Sequence, residues 1–143
     1  MRKFKRLLTT ITVLAALALL VGACDDTLDV FQAYGFDLFT MPVQESLREG
    51  ETAEIRCTLV RDGEYKNAEF FIRMFQPNGE GELKMDNGTL FLPNDLYPLG
   101  KTTFRLYYTS HCSDQQTIDV YIQDNFGQVV QKTFSFQNKI NEE

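Results

Sequence analysis

From Glu51 to Val60 the chain reads as a strand of alternating polar and apolar side chains. Ala53, Ile55, Cys57 and Leu59 fall on one side, and Glu54, Arg56 and Thr58 on the other. A helix has a period of 3.6 and scatters such a pattern round its axis. A strand has a period of two and buries one half of it cleanly. The alternation recurs at 102–110, with Phe104, Leu106 and Tyr108 inward and Thr103, Arg105 and Tyr107 outward. It recurs again at 117–123, with Ile118, Val120 and Ile122 inward. Further strands are expected at 36–43, 68–76, 82–85, 89–92 and 128–136, where Val130, Phe134 and Phe136 share a face. Turn signals separate these segments: Arg61-Asp62-Gly63, Pro77-Asn78-Gly79, Asp86-Asn87-Gly88 and Asp124-Asn125-Phe126-Gly127. Residues 93–100 carry two prolines and read as an irregular crossing. Seven to eight short strands and no convincing helix after residue 35 predict an all-β, immunoglobulin-like antiparallel β-sandwich over 36–138, with a frayed end at 139–143.

The N-terminus follows another logic. Arg2, Lys3, Lys5 and Arg6 precede an uncharged run from Leu7 to Val21, and Gly22-Ala23 then lead to Cys24. Charge, apolar run and small residues, in that order, make a secretory signal. The pattern resembles the bacterial lipobox, which implies cleavage after Ala23 and acylation of Cys24. A transmembrane anchor is the competing reading. The run is short against the roughly 20 residues of a span, is rich in Thr and Ala, and stops at Cys24-Asp25-Asp26. The domain plan is a signal peptide at 1–23, an acidic tether at 24–35, and the sandwich. Leu28, Val30, Phe31 and Tyr34 in the tether are apolar enough that part of it docks in one reading.

Cleavage removes four of fourteen basic residues, so the mature chain carries ten against twenty acidic ones, a formal charge of −10. Such a domain repels phosphate backbones, which argues against direct nucleic-acid binding. Membrane attachment then rests on the lipid. Acidic residues directly after the lipidated cysteine retain lipoproteins at the inner membrane in some bacteria and mark export in others. The expected location is the cell envelope, with the outer membrane favoured.

Two cysteines remain after lipidation, Cys57 and Cys112. Outside the cytoplasm an even pair permits one disulfide, and the spacing resembles the inter-sheet bridge of immunoglobulin domains. No tryptophan is present to pack on such a bridge, and Cys112 falls at a strand end. Two free, buried thiols are the other reading.

No catalytic constellation emerges, and no enzyme activity, metal, cofactor or small-molecule substrate is expected. His111 is the only histidine, and it adjoins Cys112 on a strand whose neighbours point to opposite faces. The Asp-Gly turns lack the ligand spacing of a calcium loop, and no glycine-rich phosphate loop appears. What stands out is aromatic content: twelve Phe and six Tyr. The third strand is apolar on both faces, with Phe70, Ile72 and Met74 on one side and Phe71 and Phe75 with Arg73 on the other. Either another segment covers the second face, or Phe71, Phe75, Tyr107 and Tyr121 form a protein-docking patch.

The lipobox at Cys24, together with Phe36-Asp37-Leu38, the run from Glu51 to Ile55 and the run from Leu99 to Tyr108, is similar to the TraQ family. These are small lipoproteins encoded in conjugative transposons of Bacteroidetes. The resemblance covers about residues 36–136. It implies an immunoglobulin-like sandwich and a non-enzymatic role in DNA transfer between cells, beside other transfer proteins of the mating apparatus. It brings no functional residue beyond the lipidated cysteine. A carbohydrate-binding surface lipoprotein is the alternative, with exposed Tyr and Phe stacking on sugar rings.

Overall fold

The computed structural model describes residues 2–18, 33–64 and 66–139 and divides into two compact units, Met1–Phe31 and Gln32–Glu143. The first contains helix α1, Arg2–Ala18. Its threonine hydroxyls bond back to the preceding turn, as Thr9 Oγ1 does to the Lys5 carbonyl at 2.8 Å. Among the described residues no helix is long and apolar enough to cross a membrane. Cys24 and most of the expected tether lie outside the described residues.

The second unit consists of two facing sheets. The first contains β1 (Phe36–Thr40), β3 (Thr52–Arg61), β5 (Gly81–Met85) and β7 (Thr103–Ser110), in the order β1-β3-β7-β5. The second contains β2 (Ser46–Leu47), β4 (Phe70–Asn78), β6 (Tyr97–Pro98), β8 (Gln116–Asp124) and β9 (Val129–Asn138), in the order β2-β9-β8-β4-β6. The seven longer strands reproduce the immunoglobulin arrangement of four strands facing three. The two-residue strands β2 and β6 are appended to the two edges of the second sheet.

The alternation in the sequence survives intact. Ala53, Ile55, Cys57 and Leu59 are buried, as are Phe104, Leu106 and Tyr108, and Ile118, Val120 and Ile122. Tyr108 stacks on Phe136 with ring centroids 5.2 Å apart, which ties the first sheet to the second.

Three details differ from expectation. Pairing is antiparallel throughout except between β2 and β9, which run parallel. The chain leaves β1 at Pro42, which has no N–H to give, and moves to the other sheet without reversing. It therefore meets β9 travelling the same way. Residues 89–92 shrink to a bridge between Lys84 and Leu90 and one bond from Phe91 N to the Leu83 carbonyl, 2.9 Å. The cause is Pro93-Asn94. Asn94 takes φ 66°, and Asp95 N closes the turn on the Leu92 carbonyl at 3.2 Å, the geometry of a type II turn. This turn carries the chain from the first sheet to the second, where β6 forms inside the expected crossing. The third detail is Lys139, the first residue of the expected frayed end: its N–H donates to the Leu47 carbonyl at 3.0 Å just past the end of β9 at Asn138, and residues 140–143 lie outside the described residues.

The start of the unit is pinned as well. Tyr34 lies against Gly63, where a Cβ would come within 2.6 Å of its ring. Its carbonyl accepts from Gln128 Nε2 at 3.1 Å, and the Gly35 carbonyl accepts from Asp62 N at 2.9 Å. At the same end Asp124 is buried. Its carboxylate accepts the backbone N–H groups of Phe126 and Gln128 at 3.0 and 2.8 Å, which locks the β8–β9 turn.

Candidate functional site

Of the four aromatic residues that one of the two readings grouped as a docking patch, the structure places three on one sheet face. Phe71 and Phe75 point outward from β4, with Arg73 between them. Across the ladder they face Gln123, Asp119 and Tyr121 of β8 in the pairs Phe71–Gln123, Arg73–Tyr121 and Phe75–Asp119. The Arg73 guanidinium lies over the Tyr121 ring, 4.7 Å from its centroid. Arg73 Nε is buried without a hydrogen-bond partner. Phe71 is half-buried beside Pro98 of β6, so the crossing covers it in part. Phe75 remains 40 % exposed.

Tyr107 does not join them. It lies on the outer face of the first sheet, between Glu54 and Lys84. Parity identified it as outward but could not say which of two sheets β7 enters. That face is charged: Glu54 pairs with Arg56 at 3.2 Å and Arg105 at 3.3 Å, and Glu82 with Lys84 at 3.3 Å. His111 is half-exposed there, with Nε2 3.8 Å from Glu82.

Cys57 and Cys112 are both free, the second of the two readings the sequence left open. The register gives the reason. Cys57 sits opposite Phe104 on β7, in the same sheet, and Cys112 lies eight residues further along. At strand rise that is roughly 26 Å, far beyond the reach of a disulfide. Burial pushes the Cys57 thiol up to about 12, which leaves it protonated and unreactive. The Cys112 sulfur accepts the Glu80 N–H at 3.3 Å.

The polar group that sequence reasoning missed is Gln116, which is fully buried. Its Oε1 accepts the Tyr108 hydroxyl at 2.6 Å, and its Nε2 donates to Ser110 Oγ at 2.7 Å. Gln76 Nε2 donates to the same Tyr108 oxygen at 2.7 Å, and Ser110 Oγ donates to the Cys112 carbonyl at 2.9 Å. The Tyr108 hydroxyl occupies the space a side chain at Gly81 would need. Burial pushes Tyr108 up to about 12. The cluster is closed on itself and locks β7 to β8; it presents no acid or base to a substrate.

Among the described residues, two surface grooves are close in volume. One, of ≈ 490 Å³, has Leu59, Phe70, Phe71 and Leu99 in its walls and Arg61 and Lys101 at its rim. Arg61 stacks on Phe70 at 5.5 Å. The other, of ≈ 480 Å³, runs between residues 39–45 and residues 133–136. No histidine or cysteine lines either one. Among the described residues no group of His, Cys, Asp and Glu is placed to hold a metal ion.

The comparisons agree with this architecture. A conjugative transposon lipoprotein from Bacteroides eggerthii DSM 20697 has a crystal structure that superposes with a TM-score of 0.70 at 43% identity, over 74% of this chain and 100% of that one. The lipoprotein from Bacteroides thetaiotaomicron, solved by NMR, is 59% identical with a TM-score of 0.69, over 81% and 89% of the two chains. A conjugate transposon protein from Bacteroides vulgatus is 40% identical with a TM-score of 0.66, over 82% and 96%. No curated protein matches. The family model described as TraQ conjugal transfer protein matches residues 7–139. The chain belongs to that family.

Proposed function

We propose that the chain is a lipid-anchored, non-enzymatic accessory of a conjugative DNA-transfer apparatus, acting through protein–protein contacts. The observation that carries this reading is the family match over residues 7–139, beside relatives that are conjugative transposon lipoproteins. In this reading residues 1–23 are a signal peptide, Cys24 carries the lipid, and the acidic stretch 24–35 tethers the sandwich to the envelope, with the outer membrane favoured. An acidic sandwich with closed polar clusters suits bracing and docking better than gripping DNA. Arg73 already occupies one face of the Tyr121 ring, the face a sugar would stack on, which favours a protein partner over a glycan.

The test is transfer frequency from a donor with an in-frame deletion, complemented by wild type or by Cys24→Ala. The expected result is loss of transfer, rescue by wild type and failure of Cys24→Ala. Unchanged transfer in the deletion strain would sink the reading.

A further inference from the structure

A sheet ends in a row of unpaired main-chain donors and acceptors, and stable proteins blunt these rows. Three of the four long edges here are blunted. Residues 89–91 fold back over β5, with Phe91 N on the Leu83 carbonyl and Met85 N on the Thr89 carbonyl, both at 2.9 Å. β4 is covered by β6, by Asn94 N on the Met74 carbonyl at 2.9 Å and by Leu99 N on the Phe70 carbonyl at 2.8 Å. On β1 the bonds Met41 N to Arg56 O and Asp62 N to Gly35 O set the phase, so Leu38 N–H faces outward. Asp37 Oδ1 takes that N–H at 2.8 Å.

The fourth edge is different. β2 covers β9 only at its end, where Gln137 N donates to the Glu45 carbonyl at 2.8 Å and Lys139 N to the Leu47 carbonyl at 3.0 Å. Upstream, the bond from Asp124 N to the Gln128 carbonyl, 3.0 Å, fixes the even-numbered residues of β9 as those that pair with β8. The main chain of Val129, Gln131, Thr133 and Ser135 therefore points away from β8, and among the described residues no strand lies beside it. At the lower half of this stretch lies the groove of ≈ 480 Å³. Phe39 and Met41, 58 % and 50 % exposed, stand in its far wall.

We propose that the free stretch of β9, residues 129–135, takes an extended segment of another protein by strand addition, and that Lys132 selects a segment with a carboxylate opposite it. The main-chain row dictates an extended backbone. The groove beside residues 133–136, with Phe39 and Met41 among its lining residues, leaves room for such a strand. Charge sets the rest. Lys132 sits among the inward positions of β9 and is held only loosely, with Nζ 3.8 Å from Asp37 Oδ1 and both side chains partly in water. The register that pairs all of 129–135 with a second copy centres on Lys132 and sets two ammonium groups opposite each other. The same lysine thus rejects the chain's own copy and attracts an acidic guest.

This inference rests on the protein–protein reading above, and the experiment separates the two. Gln131→Pro removes a donor from the free edge while leaving every bond to β8 in place. In a strain where deletion abolishes transfer, Gln131→Pro is expected to lower transfer by about tenfold or more, at unchanged protein level and melting temperature. In parallel, the purified full chain in detergent micelles is titrated with a blocked heptapeptide of alternating threonine and valine carrying a central glutamate, and with its central-lysine counterpart. The glutamate peptide is expected to bind about tenfold more tightly, and Lys132→Glu to reverse the preference. Equal binding of both peptides, full transfer by Gln131→Pro, or a homodimer held through Gln131 in a photo-crosslink overturns the inference. If the deletion itself leaves transfer intact, the functional reading falls, and the peptide titration still judges the edge.

Discussion

On the side of the sandwich where β5 and β4 end their sheets, the chain itself bridges the gap. Residues 89–99 start on β5, turn at Pro93-Asn94 and finish on β4, giving main-chain bonds to both sheets. Phe91 plugs the space beneath and meets the Tyr97 ring at 5.0 Å, while Tyr97 Oη accepts from Leu92 N at 2.9 Å. On the opposite side, where β1 and β9 end, the described links across the gap are the ion pair of Asp37 and Lys132, the bond from Gln128 Nε2 to the Tyr34 carbonyl and the two-residue β2. Buried main-chain bonds and packed rings resist opening far more than an exposed ion pair at 3.8 Å does. One side of the molecule is therefore a structural seam and the other an accessible one, and local opening is expected to concentrate there.

The largest effect belongs to the closed side. Phe91 is 4 % exposed within the main core. Phe91→Ala is expected to cost about 3–5 kcal/mol, the range for a large aromatic removed from a packed core. A denaturant titration with an unchanged slope and a lowered midpoint checks it. A loss below about 1 kcal/mol would mean that the crossing is a surface strap and that the two sides do not differ as described.

Next comes the polar lock at the end of β7. Tyr108→Phe keeps the ring stack on Phe136 and removes only the hydroxyl, leaving buried Gln116 Oε1 and Gln76 Nε2 without that partner. The expected cost is about 1–3 kcal/mol. Tyr108 also carries a pH dependence, which it shares with Cys57 elsewhere in the core. Tyr108 and Cys57 are both raised to about 12 by burial, from ordinary values of 10 and 9. The folded state then holds protons that the unfolded state has released, so stability falls as pH rises from 9 towards 12. Thermal melting along that range should show the fall, and the double variant Tyr108→Phe, Cys57→Ala should flatten it.

How much of this was legible in the residues follows from period and parity. Alternation at 51–60, 102–110 and 117–123 named the inward side chains because a strand has only two faces. Parity is blind to which sheet a strand joins, so Tyr107 was grouped with Phe71, Phe75 and Tyr121 although it lies on the other sheet. It is equally blind to register, and so left the Cys57–Cys112 disulfide open when the ladder sets the pair far apart. The β2 strand left no signal because two residues have no period. Lys132 did leave one: it occupies an inward position between Val130 and Phe134, and an inward lysine is a mark of an edge strand. Gln116 lies at the strand's first buried position, where composition alone suggests a turn.

The smallest expected effect tests the open side most directly. Asp37 caps the outward Leu38 N–H and pairs with Lys132. Asp37→Asn keeps an oxygen for the cap and removes the charge, so the change in global stability should stay within about 1 kcal/mol. Cys57 supplies a sharper readout, because it lies on β3 directly opposite Thr40 of β1 and is 1 % exposed. An alkylating reagent reaches it only when β1 lifts from β3, whereas the partly exposed Cys112 reacts without opening. If the Asp37–Lys132 pair holds β1 down, Asp37→Asn should speed labelling of Cys57 by up to about fivefold, the equivalent of 1 kcal/mol, and leave Cys112 unchanged. Equal acceleration at both thiols would indicate general loosening and remove the distinction between the two sides. No acceleration at Cys57 would show that β1 is held by its ladder to β3 alone, and that the ion pair serves only to guard the edge.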